Sequence, residues 1–305
     1  MEWRFLARSV MLLALVEPAS SCGQQRLEPT VPDSSHVTLL IRSDDWGMSH
    51  SVNMAATQVV KSGIPISASV MFVCPWYQEA VELLKAHPEV SVGVHLTLNA
   101  EWKNYRWGPV SGAATVPTLV DSEGFFFPSR ELLFKNSPRL NEIERELRAQ
   151  IERAVHSGLR IDYLDYHMGA AVQTPETRAI VEKLASEYHI GISRYFGELD
   201  VNGLYDAAPE RKRDTLIAVV RALKPGTINL LVFHIGVDTP ELNALQDLNS
   251  FGIKEMSKHR RAELEALISS QFQDLLRDPR YRLTTYRRIK EGWGLESMKR
   301  PKVLP

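Results

Sequence analysis

Two hydrophobic periods alternate along the chain. Short apolar runs rich in β-branched residues occur at 37–41, 66–73, 90–98, 160–165, 191–195, 227–235 and 281–285. Between most of them lie stretches in which apolar residues recur every three or four positions: 52–61, 77–86, 140–155, 175–188, 209–223 and 258–277. The first pattern predicts buried strands and the second predicts helices with one apolar face. Their regular alternation predicts an α/β fold with a parallel sheet, arranged as a single (β/α) barrel-like domain of about seven β/α units. The punctuation agrees, with Gly63 and His87-Pro88 stopping two helices, Pro209 opening another and Pro225-Gly226 closing it.

One segment departs from the simple alternation. Residues 99–139 contain Trp102, Trp107, Pro109, Pro117, Gly124 and the run Phe125-Phe126-Phe127, too long and irregular for a bare connection. They are expected to form a lid or substrate loop, with the phenylalanines in a small satellite core and exposed tryptophans available to line a pocket. The helix at 140–155 places Ile143, Leu147, Ile151 and Val155 on one face, and its Glu and Arg residues are expected to be solvated. The same expectation covers Arg211-Lys212-Arg213.

Composition changes this picture little. The chain has 305 residues, 44% hydrophobic and 24% charged, with a net charge of −1. These values permit a sizeable core and argue against a broad basic face, so no nucleic-acid partner is expected. The first residues change it more. Arg4 and Arg8 precede the apolar run Val10 to Val16, and small residues follow at Ala19-Ser20-Ser21 before Cys22. Residues 1–22 therefore predict an export signal, with ordinary cleavage and a lipoprotein type carrying lipid on Cys22 as its two readings, and a periplasmic or cell-surface location. Residues 23–36 read as a polar tether, 37–291 as the barrel domain and 292–305 as a polar tail. With Cys74 the only other cysteine, no disulfide framework is expected.

Candidate chemistry gathers at predicted strand ends. Asp44 and Asp45 are adjacent where the first strand meets Trp46-Gly47, and such a pair repels itself unless a cation or another partner offsets the charge. His95, His167 and His234 occupy the corresponding ends of later strands. In parallel α/β folds that edge collects catalytic groups. One carboxylate with two imidazoles suits Zn²⁺ or a related divalent ion, and Asp45, His95 and His167 are the expected ligands. Asp165 is placed to orient a ring nitrogen from outside the ligand set. Trp102 and Trp107 are expected to offer flat apolar faces to a sugar ring. No GxGxxG or P-loop is present.

These residues fall within ordered blocks, Ser43-Asp44-Asp45-Trp46-Gly47, Gly93-Val94-His95-Leu96-Thr97-Leu98, Leu164-Asp165-Tyr166-His167 and Val232-Phe233-His234. Together they resemble the YdjC/ChbG family of carbohydrate deacetylases from about residue 38 to residue 238. The resemblance implies a barrel related to the polysaccharide deacetylases and a hydrolase using one divalent metal ion, Zn or Mg, to remove acetyl from N-acetylated amino sugars or short oligosaccharides. It carries the metal triad onto Asp45, His95 and His167, the general base onto Asp44, and the acid that protonates the leaving amine onto His234. The chain departs from the family pattern in three places. Met168-Gly169-Ala170 replaces further histidines, Ile235 replaces the proline of His-Pro-Gly, and Trp46 replaces a phenylalanine, which would narrow the cleft. Two other readings use the same residues: a metal-dependent hydrolase of another ester, amide or phosphoester, and a non-catalytic glycan-binding lipoprotein. A non-haem iron triad has the same ligand types.

Overall fold

Strands that are apolar on both faces can be satisfied only between two helical layers or inside a barrel, and the chain does this with parallel strands throughout. The computed structural model describes residues 34–302; the expected export signal and most of the expected tether lie outside them. In chain order the elements are β1 (Val37–Trp46), α1 (His50–Lys61), β2 (Ser67–Val70), α2 (Tyr77–Ala86), β3 (Ser91–Leu96), α3 (Arg130–Lys135), α4 (Leu140–His156), β4 (Ile161–Tyr166), α5 (Pro175–Glu187), β5 (Gly191–Ile192), β6 (Leu199–Asp200), α6 (Lys212–Ala222), β7 (Ile228–Phe233), α7 (Pro240–Asn243), α8 (Met256–Leu267), α9 (Ser270–Leu276), β8 (Tyr281–Thr284) and α10 (Tyr286–Trp293).

The sheet runs β5-β4-β3-β2-β1-β7-β6, and β8 pairs with the first half of β1. β1 is the axis of the fold, because its early residues pair with β8, its later ones with β2, and its other side with β7. No β5–β6 ladder closes the ring among the described residues, so the barrel is open between these two short strands. The connecting loop is held by Arg194, whose guanidinium pairs with Asp200 at 2.8 Å.

Several elements differ from the sequence reading. β1 continues through both aspartates to Trp46 instead of ending at residue 41. The helix expected over 258–277 is two helices, broken where Ser269 turns extended and caps α9 through the Phe272 N–H. Residues 286–293, where no helix was expected, form α10, started by Thr285 accepting from the Arg288 N–H. After it the chain docks again, with the Lys299 N–H donating to the Tyr195 carbonyl at 2.8 Å.

The long segment between β3 and α4 is organised by buried side chains. Val116, Leu119, Phe126 and Leu133 are buried and join the main core, so the phenylalanine cluster is continuous with the core, not a satellite of it. The charged face of α4, expected to be solvated, does the anchoring. Glu146 is fully buried and accepts from the Val110 and Ser111 N–H groups, each at 2.9 Å, and Glu142 accepts from the Thr118 N–H at 2.8 Å. Gln150 closes the set on the Thr97 backbone. A helix facing a loop meets unpaired N–H groups, and buried carboxylates satisfy them where an apolar face could not. Val155, by contrast, is exposed and Ala154 takes its place in the core. Lys212 is likewise fully buried and bonds the Leu204 and Tyr205 carbonyls and, at 2.7 Å, Glu263.

A candidate metal centre at the strand ends

Strict alternation would send Asp44 and Asp45 to opposite faces of β1. The pairing with β2 slips between Ser43 and Trp46, and Asp45 takes a left-handed conformation with φ of 66°. A bulge of this kind re-aims a side chain, and its strain is of the sort tolerated at functional sites. Gly47 completes the turn at φ of 83°, where a Cβ would lie 2.8 Å from the Tyr77 Cα. Ser49 then caps α1. Both carboxylates consequently point into one buried cluster.

Within that cluster Asp45 Oδ1 lies 3.4 Å from His95 Nε2 and 3.4 Å from His167 Nδ1, and those nitrogens are 3.3 Å apart. Zinc held tetrahedrally at its usual bond lengths separates N and O donors by about 3.3–3.4 Å, so the three atoms form one face of such a site. Asp45 Oδ1 is buried and has no hydrogen-bond partner among the described residues, as an atom reserved for a cation would be. The outer nitrogens of both rings rest on carboxylates: His95 Nδ1 on Asp165 at 3.0 Å, and His167 Nε2 on Glu101 at 3.0 Å. This is the support that fixes tautomer and orientation in metal-binding histidines. Asp165 therefore orients His95, on the neighbouring strand, and Glu101 supplies the equivalent for His167. The donor chemistry and spacing fit a divalent ion. A second set, Asp44, His95 and Asp165, is also close enough to share an ion, but both Asp44 oxygens are already engaged.

They are engaged by Arg42, whose Nε donates to Asp44 Oδ1 at 2.7 Å and Nη2 to Oδ2 at 2.8 Å. The same guanidinium reaches Asp165 at 3.2 Å and the Ser193 hydroxyl at 2.7 Å. Asp45 Oδ2 receives Arg260 Nη2 at 2.6 Å. Burial acts to raise the Asp44 pKa, but Arg42 outweighs it and brings it down to about 2. Asp45 is lowered too, against burial, chiefly by Arg260. Burial opposes charging of the two imidazoles, yet Asp165 and Asp44 raise His95 to about 10, and Glu101 and Asp45 raise His167 to about 9. Without a metal, protons supply the positive charge this nest of acids requires.

His234 follows β7 at the same edge. Glu263 accepts its backbone N–H at 2.6 Å, Tyr205 meets its ring edge-on at 5.3 Å, and its Nδ1 has no partner among the described residues. Burial lowers its pKa and keeps it neutral.

The expectation of exposed tryptophans is overturned, since Trp102 and Trp107 are only 2% and 3% exposed. Trp107 packs edge-on against His167 at 6.2 Å and donates to the Asn99 carbonyl, so it walls the histidine. Trp102 pairs with Asp247 through the backbone. Trp46 is fully buried, with its indole N–H on Ser43 Oγ at 2.9 Å, which places the ring in the core and not across a cleft. Sequence reasoning missed Arg42, Glu101, Arg260 and Glu263. Arg42 carried a signal, because residues two apart share a strand face. The others come from distant segments and carried none.

Residues 38–278 match the family model described as YdjC-like protein. The chain belongs to the YdjC-like family. Among its relatives, the carbohydrate deacetylase of Brevibacillus brevis is 37% identical over 154 residues, half of this chain and 58% of that protein, so this match spans little more than half the relative's length. The carbohydrate deacetylase of Thermoanaerobacter pseudethanolicus is 25% identical over 83% of this chain and 99% of its own. A crystal structure from Enterococcus faecalis, provisionally named as a cellobiose-phosphate cleavage protein, superposes with a TM-score of 0.68 at 22% identity over 83% of this chain and 98% of that one, which establishes the shared fold.

Proposed function

We propose that this YdjC-like protein is a metal-dependent hydrolase that removes acetyl groups from N-acetylated amino sugars or short oligosaccharides. The observation that carries the reading is the triangle of Asp45 Oδ1, His95 Nε2 and His167 Nδ1, with its one unpartnered oxygen. The deacetylase names of the relatives supply the substrate class.

A divalent ion held by Asp45, His95 and His167 would supply a Lewis acid for the acetyl carbonyl and a water of lowered pKa. Asp44 is kept ionised by Arg42, so it serves as the acceptor that orients the attacking water and takes its proton. Asp165 and Glu101 hold the imidazoles in place. His234 is neutral, so the proton it passes to the amine is one it takes up within the cycle, on the free Nδ1. Trp107, packed against His167, excludes water from that side.

The test is acetate release from N,N′-diacetylchitobiose by protein stripped of metal and then reloaded. Release that appears only on reloading supports the reading. Release of phosphate or of another acyl group from a panel, with none of acetate, would replace it by a different metal-dependent hydrolysis, and sugar binding indifferent to chelation without turnover would leave only a glycan-binding protein.

Export is proposed separately, on Arg4 and Arg8 ahead of the apolar run Val10 to Val16 and the small residues before Cys22. The apolar run before Cys22 is expected to be missing from the mature protein. Intact-mass measurement in a secreting bacterial host checks this, and retention of Met1 in soluble protein from the cytoplasm would count against it.

A further inference from the structure

Arg260 is 3% exposed, and its guanidinium is only partly used. Nη2 donates to Asp45 Oδ2 at 2.6 Å, while Nε and Nη1 are buried without a hydrogen-bond partner among the described residues. A guanidinium carries five N–H groups arranged as two forks that share Nη2. Whichever Nη2 hydrogen Asp45 takes, one complete fork stays open, either Nε with Nη2 or Nη1 with Nη2. Two parallel N–H groups match two oxygens of a carboxylate or of a tetrahedral oxyanion. A buried charged donor left unpaired is destabilising, so the open fork is not explained by stability.

Its position identifies the anion. Asp45 stands between Arg260, on Oδ2, and the two imidazoles, on Oδ1. Nη2, which both forks share, is thus separated from the ligand triangle only by the Asp45 carboxylate, which points to an anion at the reacting group. Gly236, the last residue of His234-Ile235-Gly236, admits the arginine: a Cβ there would fall 2.5 Å from Leu242 Cδ2 and 3.1 Å from Arg260 Cβ, and the Gly236 N–H donates to the Arg260 carbonyl at 3.2 Å.

We propose that Arg260 is a catalytic residue whose open fork holds the acyl oxygens, first as the oxyanion of the tetrahedral adduct and then as the released carboxylate. The inference rests on the deacetylase reading. In that reaction the water oxygen bonds to the acetyl carbon, the C–N bond breaks with its electron pair going to nitrogen, nitrogen takes a proton, and acetate leaves. Charge grows on the oxygens that the open fork would hold, which is where fixed donors lower a barrier most.

The experiment compares wild type with Arg260→Gln and Arg260→Lys. Acetate affinity is titrated by calorimetry on metal-free and metal-loaded protein, and metal stoichiometry, kcat and KM are measured with N,N′-diacetylchitobiose. Acetate binding is expected to weaken at least about tenfold in Arg260→Gln and by less in Arg260→Lys, which keeps the charge without the fork. Turnover is expected to fall by about 10²- to 10³-fold in Arg260→Gln, the range for losing one oxyanion donor, with KM and metal content near wild type. Unchanged acetate affinity in both folded variants overturns the assignment. So does a loss of turnover that only tracks lost metal, which would make Arg260 a partner of Asp45 alone, or a loss confined to the KM of sugars bearing a carboxylate or phosphate. Acetate binding is read without turnover, so a failure of the deacetylase reading is distinguishable from a failure of the arginine assignment.

Discussion

Asp44 and Asp45 are neighbours in sequence, but the bulge gives them different partners. Asp45 turns an unpartnered oxygen to the imidazoles, whereas Asp44 has both oxygens in the Arg42 fork. Asp45→Asn is therefore expected to lose metal affinity first. Asp44→Asn is expected to keep the metal and lose about 10²- to 10⁴-fold in kcat, the usual span for general acid/base catalysis. Metal stoichiometry measured beside kcat separates the two, and metal loss in Asp44→Asn with retention in Asp45→Asn would reverse the roles. For the imidazoles, His95→Ala and His167→Ala are each expected to lower metal content and activity together, because an open three-residue site has no spare ligand. Full occupancy of either variant at limiting metal would exclude that residue from the ligand set. The acids and histidines were legible because each stands at the end of an apolar run. The division of labour within the pair was not derivable from position, since alternation fails where the bulge begins, and Arg260 lies 215 residues from its Asp45 partner.

At the scale of elements, periodicity located most helices and strands but not their partners. α4 shows why, because Glu and Arg spaced along a helix look the same whether that face meets water or a loop rich in free N–H groups. Glu146 meets the loop and is fully buried, whereas Glu144 pairs with Arg148 and Lys183 near the surface. Removing Glu146 strands the Val110 and Ser111 N–H groups and takes one acceptor from the Gln150 amide, which keeps the Thr97 carbonyl. Glu146→Ala is accordingly expected to cost about 2–4 kcal/mol, built from hydrogen bonds to a charged group at roughly 1.5–3 kcal/mol each with partial relaxation. Glu144→Ala is expected to cost under about 1 kcal/mol, as surface pairs do. Urea denaturation of the two variants checks this, and equal losses would mean that α4 does not anchor the long segment. The tryptophans failed for a related reason, since irregular sequence around an aromatic predicts a loop but not whether that loop closes over its own side chains.

At the scale of the whole molecule, the parallel sheet was legible from alternation, but the opening between β5 and β6 was not, because only two residues of the run at 191–195 form β5 and the two-residue β6 leaves no periodic trace. Asp44, Asp45, His95, Asp165 and His167 form one buried charged cluster at the strand ends, and its shifted groups contribute to how stability depends on pH. In metal-free protein His95 and His167 are raised from 6.5 to about 10 and about 9, so between these limits the folded state binds more protons than the unfolded state. Stability from both groups is then fully present below about pH 6.5 and is lost as pH rises through about 9 to 10. Asp44, lowered from 3.8 to about 2, acts at the other end: its contribution is present above pH 3.8 and disappears as pH falls through about 2. His234 is lowered instead, so it opposes folding only below about pH 6.5, where the unfolded state takes up its proton. Metal-free protein is therefore expected to lose thermal stability steadily from about pH 7 to pH 10. A metal ion requires both imidazoles unprotonated, so binding near pH 8 should release protons and restore the stability lost on the alkaline side. Melting temperatures across this range with chelator and with excess metal, together with calorimetry in buffers of different ionisation enthalpy, measure both effects. A metal-free melting temperature that stays level or rises between pH 7 and 10, or metal binding that releases no proton, would show that protons do not stand in for the cation at this site.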